Sequence, residues 1–283
     1  MKAYKDIRIL WVADYSVKHN KGGSQQTNRE MIKYGRSKGI YIKTIYKDEP
    51  IPEKLDYDAI ILNNITQFCT EDLERLLDTG KCIRYEHDYW VAENMPEMYK
   101  KCRHTIFLSP LHKKTAENKC GYKIENSSLV PSPIDVGVFK VDDSVEREKG
   151  SVCCMGNLVK DKGSESLLEF IDSNQNMRFY IAGWGEEVGE FKKKDNVEFL
   201  GELDRKQIVK VYQKCEYFYH RPLWNEPFGR TVVEAFLCGC HLLLNDSVGA
   251  ISWDWDFSDY EQIKKNVQSQ NNFWRVIKNE IQS

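Results

Sequence analysis

A nearly continuous apolar run, Ile7 to Ala13, opens the chain and predicts a strand buried on both faces, as in a parallel sheet. A polar loop follows to Gly22 and Gly23. Ser24 can cap a helix in which Met31, Ile32, Tyr34 and Gly35 recur at helical spacing, and Gly39 stops it before a second strand at Tyr41 to Tyr46. Strands at Ala59 to Asn63, Cys82 to Tyr85 and Ile106 to Ser109 come next, with helices at Glu71 to Leu77 and His112 to Lys119. Pro131 and Pro133 then forbid helix, and the charged stretch Asp142 to Gly150 is expected to be a linker.

The same alternation resumes at Val152 to Gly156, with strands also at Phe179 to Gly183, Asn196 to Gly201, Glu216 to His220 and His241 to Asn245. Amphipathic helices run through Leu167, Leu168, Phe170 and Ile171, and from an Asp204 cap to Cys215. A terminal helix is predicted over Asn272 to Ile281. Strand and helix alternating twice over means an α/β chain of two Rossmann-like domains. The expected division is 1–140, a linker at 141–150, a second domain at 151–265 and a terminal helix at 266–283 that packs back toward the interdomain cleft.

Composition fits two globular cores, with 41% hydrophobic residues in 283. No run of 18 apolar residues occurs and the start lacks a signal peptide's apolar stretch, which reads as a soluble cytoplasmic protein. Nine scattered cysteines match neither a disulfide framework nor a zinc ligand set, so reduced thiols and no metal site are expected. The net charge of −2 hides an asymmetry, since residues 1–140 carry 23 Lys+Arg against 19 Asp+Glu. Seven cations and one acid, Glu117, fall within 100–123. That run is either a solvated helix face or a surface for an anionic acceptor, a phospholipid or nucleic acid.

The chemistry concentrates between Glu226 and Cys240. Pro227 and Gly229 allow a bent loop, and a helix from about Arg230 directs its first N–H groups and dipole at it, giving an anion site between two carboxylates, Glu226 and Glu234. The competing reading is a capping box, Thr231 to Glu234, in which Glu234 only satisfies a helix end.

The segment resembles the C-terminal signature of retaining, nucleotide-sugar-dependent glycosyltransferases of the GT-B fold (glycosyltransferase family 4-like, group 1). Their Glu-x7-Glu pattern is matched at Glu226 and Glu234, with Pro-Phe-Gly after the first and Ala235 and Gly239 after the second. Gly156 to Gly163 resembles the phosphate-binding turn Gly-Arg-x-x-x-x-Lys-Gly, with Lys162 in place and Asn157 where the family has Arg. Leu223 replaces the family's Ser. Gly22-Gly23 and the strand-end His87 match the family's glycine loop and cleft histidine, and Pro131, Asp135 and Phe139 its domain exit, with Ser132-Pro133 in place of Asn-Gly. The likeness runs over about 5–250 and is specific over 152–245.

The resemblance implies two domains facing a central cleft and a metal-independent hexose transfer from a nucleotide sugar, UDP or GDP type, with retention of configuration. It implies roles as well. Glu226 holds sugar hydroxyls, Lys162 the phosphates, and Glu234 ribose hydroxyls, while Phe228, Gly229, Arg230 and Thr231, with Gly156 and Asn157, line the donor. Gly22, Gly23 and His87 close the site from the acceptor domain. Two alternatives stay open: a DNA-base glycosyltransferase, favoured by the basic run, and a non-catalytic nucleotide-binding module, favoured by Asn157 and Leu223.

Overall fold

A computed structural model describes residues 2–20 and 22–283. The chain divides into unit 1, made of Met1–Pro133 with Val267–Ser283, and unit 2, Ile134–Asn266. The first unit holds a six-stranded parallel sheet of β1 (Arg8–Val12), β2 (Tyr41–Ile45), β3 (Ala59–Leu62), β4 (Cys82–Tyr85), β5 (His104–Phe107) and β6 (Ser127–Leu129). Their spatial order is β2-β1-β3-β4-β5-β6. Helices α1 (Gly23–Ser37), α2 (Thr70–Leu77), α3 (Trp90–Asn94), α4 (Met98–Lys101) and α5 (Pro110–Cys120) connect them.

The second unit has β7 (Glu148–Asn157), α6 (Ser164–Ser173), β8 (Arg178–Trp184), α7 (Val188–Phe191), β9 (Val197–Gly201), α8 (Arg205–Lys214), β10 (Cys215–His220), α9 (Arg230–Leu237), β11 (His241–Leu244) and α10 (Tyr260–Asn266). All five of its strands are parallel, in the order β11-β10-β7-β8-β9. Val152, Leu167, Ile171, Phe179, Ile181 and Tyr219 lead its core, so the strands that read as apolar runs are the ones covered by helices. The charged stretch before Val152 is not all linker. Its end, Glu148 to Gly150, already belongs to β7, where Glu148 accepts from the Tyr180 hydroxyl (2.6 Å) and pairs with Lys214 (3.2 Å).

The start of α1 differs from expectation: Gly22, not Ser24, is its N-cap, with no side-chain cap bond. Asp204 caps α8 as expected, through a full capping box with Gln207. The terminal helix, α11 (Gln270–Gln282), belongs to unit 1 and lies on α1. Trp274 donates its indole N–H to Met31 O (2.9 Å), and Phe273 packs against Trp11 and Tyr85. A Cβ at Gly35 would meet the Trp274 ring at 2.3 Å, so the contact requires a residue with no side chain. Gly35→Ala should therefore lower the stability of unit 1 by about 1–3 kcal/mol despite alanine's better helix propensity. Urea unfolding followed by tryptophan fluorescence checks this; a gain in stability would show that α11 is loosely held.

Candidate active site

β10 ends at His220 and the chain turns through 221–229 into α9. The turn is pinned by backbone bonds: Glu226 N–H donates to Ser247 O (2.7 Å), and Gly249 and Ala250 donate to the carbonyls of Glu226 (2.9 Å) and Phe228 (2.7 Å). The Glu226 carboxylate is thereby fixed against two partners. Its Oε1 takes a charge-assisted bond from Lys162 Nζ (3.1 Å), and its Oε2 lies in close contact with His220 Nε2. Burial alone would raise the Glu226 pKa, but His220 and Lys162 outweigh it and hold the carboxyl at about 2.

Lys162 comes from a single 3₁₀ turn, Lys160–Lys162, that stops at Gly163 with φ +83°. A Cβ on Gly163 would lie 2.0 Å from Arg221 O, and Leu223 N–H donates to Asp161 O (2.9 Å). Glycine is needed there because the two loops touch backbone to backbone. The Lys162 ammonium also stands 4.3 Å from the Trp224 ring centroid, a second restraint on its position.

Gly229, in the left-handed region, is the N-cap of α9 and makes no side-chain cap, so the Thr231–Glu234 capping box does not form. Glu234 pairs instead with Arg230, one turn back, at 3.2 Å, in a site where both side chains are almost covered. Burial raises the Glu234 pKa, against the pull of Arg230 and Arg205. Phe228 is buried and meets Trp255 edge to face.

Between these loops lies a 110 Å³ cavity lined by Gly156, Asn157, Lys162, Ser164, Glu226 and Thr231, among others. Asn157 Oδ1 and Ser164 Oγ are buried on it without a hydrogen-bond partner among the described residues. Two orphaned oxygens call for a ligand that donates, as a hydroxyl does. Near the cation missing at Asn157, Lys160 pairs with Glu165 (3.1 Å) and Arg230 with Glu234 (3.2 Å). Among the described residues no group of three or more His, Cys, Asp or Glu could hold a metal ion, and all nine cysteines are free.

Of the expected residues, Gly156, Asn157, Lys162, Glu226 and Thr231 line this cavity, and Phe228 to Arg230 and Glu234 follow on the same loop and helix. Gly22, Gly23 and His87 belong to unit 1. There Gly22 N–H donates to Asn20 Oδ1 (2.9 Å), and His87 sits edge-on to Tyr85 at 4.5 Å. Sequence reading missed His220, six residues before Glu226 at a strand end, where its signal was a polar residue closing an apolar strand. It also missed a buried network behind His87. Arg84 donates to both Glu86 oxygens (2.6 and 2.9 Å), and Tyr99 OH donates to Glu86 (2.7 Å).

The basic run at 100–123 is largely engaged. Lys100 pairs with Glu97, Lys119 with Glu93, and Lys113 and Lys123 with Glu117, while Arg103 donates to Glu280 O. Among the described residues no helix is long and apolar enough to cross a membrane.

Residues 140–252 match the family described as glycosyl transferases group 1. A phosphatidylinositol N-acetylglucosaminyltransferase gpi3 subunit from Schizosaccharomyces pombe is 23% identical over 246 residues, covering 82% of this chain. The chain spans 46% of that protein's length. Sucrose-phosphate synthase from Thermosynechococcus elongatus superposes with a TM-score of 0.71 at 13% identity, covering 98% of this chain and 94% of that one. An alpha-glucosyltransferase in complex with UDP-glucose and abasic DNA gives a TM-score of 0.61 at 14% identity, covering 98% and 93%. The family match falls on the unit that carries the Glu226 loop, the Lys162 turn and α9, and the fold is that of these transferases. Residues 140–252 are similar to the group 1 glycosyl transferases, and the chain has the GT-B fold of the transferases it superposes on.

Proposed function

We propose that the protein moves a hexose from a nucleoside diphosphate sugar, of UDP or GDP type, to an acceptor with retention of anomeric configuration and without a metal ion. The observation that carries this is the Lys162–Glu226–His220 cluster set on a cavity beside the N-terminus of α9. In the reaction the bond from the anomeric carbon to the diphosphate oxygen breaks, that carbon bonds to an acceptor hydroxyl oxygen whose proton passes to the leaving diphosphate, and negative charge grows on the leaving group. Lys162 and the first N–H groups of α9, with the helix dipole, stabilise that charge. Glu226, kept ionised, accepts from sugar hydroxyls, as do Asn157 Oδ1 and Ser164 Oγ, and Glu234 accepts from ribose hydroxyls. Gly22, Gly23 and His87 serve the acceptor side. Nine free thiols fit work in the reducing cytoplasm.

Calorimetric titration with UDP, GDP and UDP-glucose, with and without chelator, tests the reading. One nucleotide class should bind, chelator should not matter, and Glu234→Gln and Lys162→Met should each weaken binding by about tenfold or more with little change in melting temperature. Equal loss of binding and stability in Glu234→Gln would return Glu234 to a structural role. Tight binding with neither transfer nor hydrolysis would make the chain a nucleotide-binding module. The nucleic-acid acceptor reading draws on the compact length and the 100–123 run, and an alpha-glucosyltransferase of similar fold is solved with DNA; steeply salt-dependent binding to DNA would support it.

A further inference from the structure

A second hollow, of 380 Å³, lies wholly within unit 1, where the C-terminal ends of β1 and β2 meet one flank of α1. That volume is in the range of about 300–1,000 Å³ usual for small-molecule sites. Arg29, Lys33 and Arg36, spaced to share one side of the helix, all line it, and no carboxylate does. Arg29 meets Glu30 at the exposed edge, and Arg36 donates to Ile42 O, but Lys33 makes no ion pair among the described residues. Lys47, outside the lining, stands 5.0 Å from the centroid of the Tyr15 ring, which does line it.

The interior is polar in a specific way. Trp11 is completely buried and Asn28 is 6% exposed. The Trp11 indole Nε1 and the Asn28 amide Oδ1 both lack a partner among the described residues. One is a donor and the other an acceptor, so neither can satisfy an empty wall, whereas a hydroxyl can serve both kinds. Orphaned groups of this kind are costly, and a site that binds hydroxyls recovers that cost. Cations at the rim, two of them guanidinium groups suited to phosphate oxygens, complete the pattern.

We propose that this hollow binds a phosphorylated polyol, with the phosphate against Lys33 and Arg29 and its hydroxyls toward Trp11 and Asn28. The chemistry is shared by a free sugar phosphate and by a polyol-headed phospholipid.

Titration of the full chain with glucose 6-phosphate, glycerol 3-phosphate, inorganic phosphate and glucose, and flotation with phosphatidylcholine vesicles with or without phosphatidylglycerol, separate the two sources. UDP-glucose is titrated on the same samples. A sugar phosphate is expected to bind better than phosphate or glucose alone. Lys33→Gln should weaken it by about tenfold and Arg29→Gln/Lys33→Gln should abolish it, with UDP-glucose binding unchanged. Both positions are exposed, so the variants fold. Binding only to phosphatidylglycerol vesicles, lost in the double variant, would identify the lipid source. Absence of binding in every arm, or binding indifferent to both substitutions, overturns the proposal. Failure of UDP-glucose to bind the unaltered chain would instead strike the transferase reading and leave the hollow to be judged by its own titrations.

Discussion

Replacing Glu226 with glutamine should reduce turnover by about 10²–10³-fold while the protein stays folded. The substitution is nearly isosteric, so it tests charge. In the native chain one carboxylate holds Lys162 through Oε1 and His220 through Oε2, and it accepts its own position from backbone bonds to Ser247 and Gly249 that glutamine keeps. Neutral glutamine no longer offsets the Lys162 ammonium and offers its amide N–H₂ to one of two partners that need an acceptor. The lysine is then displaced from the cavity wall, and with it goes the cation proposed to meet the leaving diphosphate. Single-turnover assays with UDP-glucose, run beside a melting curve, separate loss of chemistry from loss of fold. Unchanged turnover per folded molecule would show that the cluster is structural.

The same pairing fixes a dependence on pH whose sign follows from the shift. Folding lowers the Glu226 pKa from 4.5 to about 2, so its contribution is complete above 4.5 and is lost as pH falls toward 2. Glu226→Gln should remove that part of the acid loss, flattening the stability curve below pH 4.5.

Much of this site was legible because its determinants are local. Pro227 and Gly229 bend the chain whatever surrounds them, and the spacing of Glu226 and Glu234 fixes which carboxylate precedes the helix and which lies within it. Lys162 was found through the resemblance of 156–163 to a phosphate-binding turn that closes on a Gly, here Gly163 with φ +83°. What the sequence left open was pairing across distance. Whether Glu234 would cap or pair sideways depends on Arg230 and on burial, and the pattern Thr-x-x-Glu is consistent with both. The link between Lys162 and Glu226 joins residues 64 apart in the chain. The hollow in unit 1 was invisible for the same reason, since Arg29, Lys33 and Arg36 read as an ordinary charged helix face until β2 and the loop after β1 are set beside them. Conversely the cations at 100–123, conspicuous in sequence, meet carboxylates at Glu93, Glu97 and Glu117, two of which precede the run.

Arg84→Met should be the most destabilising single change in unit 1, at about 3–5 kcal/mol. Arg84 and Glu86 stand on and just past β4, with side chains 1% and 0% exposed, and nothing but protein surrounds them. Burial would push the Arg84 guanidinium down, but Glu86 more than offsets this and holds it charged. The guanidinium also donates to the carbonyls of Leu62 and Asn63 at the end of β3, tying two neighbouring strand ends together just before His87. Methionine fills the volume but leaves a buried carboxylate with only Tyr99 as donor among the described residues, and it removes the donor to the two carbonyls. Adding Glu86→Leu removes the stranded charge, so Arg84→Met/Glu86→Leu should lose much less than the sum of the single variants, as a double-mutant cycle measures. Additive losses would mean that the two groups are solvated separately in solution. A loss under 1 kcal/mol in Arg84→Met would mean that Glu86 takes up a proton at little expense and that the strand end before His87 is not held by charge.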